Sequence, residues 1–126
     1  MFVYAQKTIK TKNPLKSKWR FMLAERYYAD GKVNSHSIKI ITFSFYDLTN
    51  NSFEELLKEV REALIEKDVS SEENLSMVAE KLKPIYNEQN YIKREMLKII
   101  DTKNKSLDQE IKDMMYQMIT DENFNS

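Results

Sequence analysis

Lys18-Trp19-Arg20-Phe21-Met22-Leu23-Ala24-Glu25-Arg26-Tyr27-Tyr28-Ala29-Asp30-Gly31-Lys32-Val33 is the stretch on which the fold turns. Trp19, Phe21 and Leu23 alternate with Arg20, Met22, Ala24 and Arg26, the period-two pattern of a strand with one apolar face. Asp30-Gly31 follows between two strand-like runs. Both residues tolerate positive φ, so the pair marks a hairpin turn, and Gly31 is the only glycine in the chain. A third strand over 33–45 starts polar (Asn34, Ser35, His36, Ser37) and becomes apolar at Ile38, Ile40, Ile41, Phe43 and Phe45. Residues 2–9 supply a first strand. The basic segment from Lys10 to Ser17, with Pro14 and no apolar period, is a loop. A two- or three-stranded antiparallel sheet of this size needs one face covered by helix.

The pattern beyond residue 50 supplies that cover. Ser52 with Glu55 forms a capping box, and Phe53, Leu56, Leu57, Val60, Ala63 and Leu64 make one apolar helical stripe. A second helix starts near Val69–Glu73 and carries Leu75, Val78 and Leu82. Pro84 is expected to end or kink it, with a further helix over 85–100. Ser106 with Gln109 is a second capping box, opening a last helix with Met114, Met115, Met118 and Ile119. The expected fold is α+β: an N-terminal antiparallel sheet followed by three or four helices, with residues 1–126 as one domain. Residues 46–51 read as a connection.

Charge divides at the same place as the pattern. Residues 1–50 hold nine Lys/Arg against three acids, about +6; residues 51–126 hold eleven against seventeen, about −6. The chain has no cysteine, which excludes disulfides and thiolate metal sites. No apolar run reaches membrane-spanning length, and the first residues lack the apolar core of a signal peptide. We therefore expect a cytoplasmic protein with no membrane partner.

Little in the sequence points to catalysis. The single histidine, His36, lies between two serines and has no spaced partner for a metal site or a Ser-His-Asp arrangement. One glycine cannot build a phosphate-cradling loop. Tyr27 and Tyr28 read as one packed and one exposed strand aromatic. No enzyme, cofactor or metal is expected. The basic segment is the better signal, since Lys and Arg neutralise phosphates and interleaved aromatics stack on bases. The same lysines would also protect a sheet edge from aggregation, and Trp19 also suits the core. The methionines of the last helix suit core filling, with a homodimer or partner groove as the alternative.

The Lys16–Phe21 strand, the Asp30-Gly31-Lys32-Val33 turn, Ser37-Ile38-Lys39 and the helix over 52–67 resemble the arm-DNA-binding domains of phage and transposon integrases. The resemblance covers residues 16–67. It implies a three-stranded sheet whose polar side chains enter the DNA major groove. Carried over with the basic loop, the contacting residues would be Lys12, Lys16, Lys18, Arg20, Arg26, Lys32, Asn34 and His36. The loop before the Trp-Arg strand is longer than in that family, and no recombinase domain follows within this sequence. Two functions follow as expectations. The first is a non-enzymatic nucleic-acid-binding protein of a phage or mobile element. The second is an anti-CRISPR-like inhibitor of a host defence or nucleic-acid-handling complex. Its partner-facing acids would be Glu54, Glu55, Glu59, Glu62, Glu66, Asp68, Glu72 and Glu73, mimicking nucleic acid.

Overall fold

The structure, a computed structural model, describes residues 1–9, 12–103 and 108–125. It is an α+β fold. Strands β1 (Phe2–Lys7), β2 (Lys18–Ala29) and β3 (Lys32–Ser44) form an antiparallel sheet in the order β1-β2-β3. Helices α1 (Phe45–Asn50), α2 (Phe53–Glu66), α3 (Glu72–Lys103) and α4 (Gln109–Thr120) follow.

The turn forms as its residue types require. Asp30 has φ 54° and Gly31 φ 73°, the two positive values of a type I′ hairpin turn. It places Ala29 opposite Lys32, and the register runs from there to Met22 opposite Lys39. Between Phe21 and Met22 the register shifts, so that Phe21 pairs with Ile41 and Trp19 with Phe43. Ile40 is the extra residue of a bulge.

The sheet's inner face carries Val3, Trp19, Phe21, Leu23, Ile40 and Phe43 into one core with Leu48, Leu56, Val60, Leu64, Val78 and Leu82 of the helices. Trp19 is thus a core residue, with the ammonium of Lys7 over its ring at 5.6 Å from the centroid. The capping box of α2 forms as read, with Ser52 Oγ accepting from the Glu55 amide and the Glu55 carboxylate accepting from the Ser52 amide.

Three expectations are corrected. The segment 46–51 is not a bare connection: α1 (Phe45–Asn50) takes up most of it together with Phe45, the expected last strand residue, and is opened by a Ser44–Asp47 capping box. Six residues are too few to show a period, and tertiary bonds hold them. The Phe45 amide donates to Ser17 O, Asn90 Nδ2 to Leu48 O, and Lys93 Nζ to Thr49 O and Asn50 Oδ1. Nor does Pro84 split a helix pair; α3 runs through it for 32 residues. Pro84 is exposed, so the carbonyl its ring leaves unbonded faces water. Thirdly, neither Tyr27 nor Tyr28 is packed: they are 49% and 82% exposed. Strand β1 ends opposite Ala24, and the hairpin beyond projects as a two-stranded ribbon.

The last helix is tied back through Tyr46, whose hydroxyl donates to Met118 O at 2.7 Å, and Asn50, whose amide donates to Thr120 O at 2.8 Å. Ile119 is buried there, but Met114 and Met118 are half-exposed instead of filling the core. Its N-cap is Asp108; the Ser106 capping box lies outside the described residues. No helix among the described residues is long and apolar enough to cross a membrane.

Two stability changes follow. Nothing lies within 4 Å of a Cβ added at Gly31, so Gly31→Ala meets only backbone strain at φ +73°. It should lower the unfolding free energy by about 1–2 kcal/mol. Gln89 on α3 is buried with its Oε1 lacking a hydrogen-bond partner. Gln89→Met removes that orphaned acceptor at similar volume and should raise stability by about 1 kcal/mol. Urea denaturation of both variants checks these signs; a stabilising Gly31→Ala or a destabilising Gln89→Met would contradict them.

Candidate nucleic-acid interface

The two-residue turn and the bulge settle which side chains share a face. On the side away from the helices, register places Gln6, Arg20 and Thr42 in one row across the sheet. Tyr4, Met22 and Lys39 form the next row, and Phe2, Ala24 and Ser37 the one after. Arg26 with Ser35 and Tyr28 with Val33 continue this face onto the ribbon, and Lys18 closes its other end beside Ser44. Lys18, Arg20, Arg26 and Lys39 therefore share an open face on which register places no acid. Glu25 points to the other side with His36, and Asp30 sits in the turn.

The cations on this face are laid down along it. Arg20 Nη2 donates to Gln6 Oε1 at 2.8 Å, and its enclosed Nε–H has no acceptor among the described residues. The Arg26 guanidinium lies over the Phe2 ring at 5.2 Å, a cation–π contact. Phe2 and Tyr4 have ring centroids 5.9 Å apart with an interplanar angle of 35°.

Of the eight candidate contact residues, three are brought together here: Lys18, Arg20 and Arg26. Asn34 and His36 are not among them. They pair with Tyr27 and Glu25, so alternation points them to the opposite side of the ribbon, and Asn34 Nδ2 donates to the carbonyls of Ala29 and Lys32. Lys32 flanks the turn. Lys12 is exposed in the loop, and Lys16 ends the short 3₁₀ turn Pro14–Lys16. Lys16 and Lys18 line a cavity of about 330 Å³ at the end of the sheet, with Ile9, Leu15, Tyr46, Met118 and Glu122. Lys39 and Phe2 were missed by sequence reasoning; Tyr4 was legible as one of the aromatics interleaved with the basic segment. Counting outward from Asp30-Gly31 and allowing one bulge would have placed Lys39 beside Met22.

The acidic candidates do not form one surface. Glu55, Glu59, Glu62 and Glu66 line one exposed flank of α2 at helical spacing. Glu54 lies on another flank, beside Leu57, Lys58 and Arg61. Asp68 takes the positive-φ position after the helix, and Glu72 and Glu73 occupy the first turn of α3, where the macrodipole favours acids. Glu59 carries the strain of the flank. Partial burial first, then Asp47, Glu62 and Glu55, hold its carboxyl above the usual carboxylate range. Among the described residues no group of three or more His, Asp or Glu side chains is arranged to hold a metal ion.

Comparison with protein-family models, curated proteins and solved structures finds no match for this chain.

Glu59 gives a signed pH effect. Its folded pKa is raised, so ionising it costs more in the folded protein than in the unfolded chain. That penalty is absent below the ordinary carboxylate range and appears as pH rises through it. Glu59→Gln should raise Tm slightly at about pH 7 and leave it unchanged at about pH 3. A Tm difference that stays constant across that range would contradict the assignment.

Proposed function

We propose that the protein is a non-catalytic nucleic-acid-binding protein, of the accessory kind that phages and mobile elements carry, and that it binds through the open face of its sheet. One observation carries this: Lys18, Arg20, Arg26 and Lys39 share an uncovered face with Phe2, Tyr4 and Tyr28, and register puts no carboxylate among them. Glu122 lines the cavity beside Lys18 at the end of the sheet, whereas Arg20, Arg26 and Lys39 have no acid in their rows, and such cations neutralise phosphates and release counterions. Aromatic rings between them supply apolar contact for sugars and bases. Residues 16–67 hold β2, β3, α1 and α2, and their resemblance to integrase arm-binding domains supports nucleic-acid contact through the sheet, although the third strand, β1, lies outside that range.

A second function is favoured by the α2 flank. The row Glu55, Glu59 and Glu62 lies beside Asp47, with Lys58 as the cation among them, and burial first and then these acids raise the Glu59 pKa, so the flank carries an excess of negative charge. Such a row fits a basic channel on a protein that handles nucleic acid, as an inhibitor of a host defence complex would require. Capture of a specific protein from nuclease-treated host lysate, lost on Glu59→Lys/Glu62→Lys, is the result that supports it.

Fluorescence anisotropy with labelled oligonucleotides tests the first proposal. With three or four phosphates neutralised, log K should fall against log salt with a slope of roughly −2 to −4. Arg26→Glu/Lys39→Glu reverses two exposed cations of the face and should abolish the binding seen at low salt. Absent binding at low salt, or binding indifferent to this double reversal, refutes the proposal.

A further inference from the structure

The ring of Tyr4 is held in an unusual posture. Tyr4 sits on β1 and Ser37 on β3, with β2 running between them. Adjacent strands lie about 4.8 Å apart, so β1 and β3 are separated by about 9.6 Å. Yet the Tyr4 hydroxyl donates to Ser37 Oγ at 3.3 Å. A phenol reaches that far only by lying down across the central strand. The neighbouring row leaves room for it: Ala24 is on the open face by register, carries only a methyl group, and is 1% exposed. Its partners in the row are Phe2 and Ser37, and the small side chain leaves the space the ring needs.

The result is a flat aromatic surface, one ring face on the sheet and the other turned outward, with its edge fixed by a hydrogen bond. Phe2 continues it at 5.9 Å. Cations surround it: Lys39 in the same row, Arg20 in the row before, and Arg26 over Phe2. A ring fixed this way has lost its conformational freedom before any ligand arrives, so stacking on it costs little further ordering.

We infer that the open face takes single-stranded nucleic acid, one base stacking on the laid-down ring of Tyr4 while Arg20, Arg26 and Lys39 meet the neighbouring phosphates. This rests on the proposed function and narrows it. Within a duplex both faces of each internal base are already stacked, so a half-buried ring lying flat offers it nothing. Reading a major groove requires side chains that stand off the sheet, whereas Arg20 and Arg26 lie along it.

The test uses labelled homopyrimidine strands of about a dozen nucleotides, in ribose and deoxyribose forms. A duplex of the same length and an abasic strand of the same charge are compared at one low salt concentration. Single strands should bind more tightly than the duplex. Tyr4→Leu should weaken single-strand binding about 5- to 150-fold, the range of one base–aromatic stack. Tyr4→Phe keeps the ring and should retain most of the affinity. The abasic strand should lose a similar factor on the unaltered protein, a measurement independent of how any variant folds, and should not respond to Tyr4→Leu. Duplex binding equal to or tighter than single-strand binding overturns the inference, as does an abasic strand that binds fully. If Arg26→Glu/Lys39→Glu still abolishes that binding, the charged face stands and only the stacking falls. No binding of either form at low salt removes both. The ribose and deoxyribose arms show which sugar the face prefers.

Discussion

With two residues in the turn and Ala29 opposite Lys32, every odd residue of β2 faces an even residue of β3. That parity, imposed by the positive φ values of Asp30 and Gly31, decides what is core and what is surface. It sends Tyr27, Asn34, Glu25 and His36 to one side of the ribbon and Arg26, Ser35, Tyr28 and Val33 to the other. Further along, the same parity would turn Phe43 outward and Thr42 into the core. The bulge at Ile40 prevents this. Ile38 and Ile40 face inward before it and Ile41 and Phe43 after it, and these four side chains all join the core with the helices. Turn and bulge together create the second face of the sheet, which no helix covers.

Much of this was legible. Alternation over residues 18–24, the Asp-Gly pair, and the capping box at Ser52 are local signals, and each forms where its chemistry places it. Even the bulge leaves a trace: the spacing Ile38, Ile40, Ile41, Phe43 breaks strict alternation at one point, as an extra residue must. What stayed hidden depends on distant partners. Helix α1 is held by Ser17, Asn90 and Lys93, which lie far from it in sequence. Continuity through Pro84 depends on which side of α3 faces water, and that is set by packing against the sheet and α1. Parity puts Tyr27 on the helix side of the ribbon, and its exposure follows from the described helices not packing over that end, which is invisible in the hairpin itself.

The candidate interface shows the same division. Lys18, Arg20 and Arg26 were readable as a group because they lie on one strand at even spacing. Asn34 and His36 were grouped with them by nearness to the turn, although hairpin parity separates them. Tyr4 belongs to the face only through β1 pairing, and its posture only through Ser37, thirty-three residues away. No property of a single segment announces a ring lying across three strands.

The charge split along the chain takes a different meaning once folded. The β half and the helical half are joined through one core, so the cations of the sheet and the acids of α2 fall on different surfaces of one body. A polyanion near this protein is attracted at the open face and repelled at the α2 flank, where Glu59 shows that the carboxylates already repel one another. The two effects act in the same direction. They favour approach with the sheet leading, within a range of about 8–10 Å at physiological salt. Net charge near zero is thus compatible with strong orientation, because what guides encounter is the separation of charge across the body. On the proposed function, a uniformly basic chain would hold nucleic acid in many poses, whereas this arrangement would restrict it to the one face that also carries Tyr4.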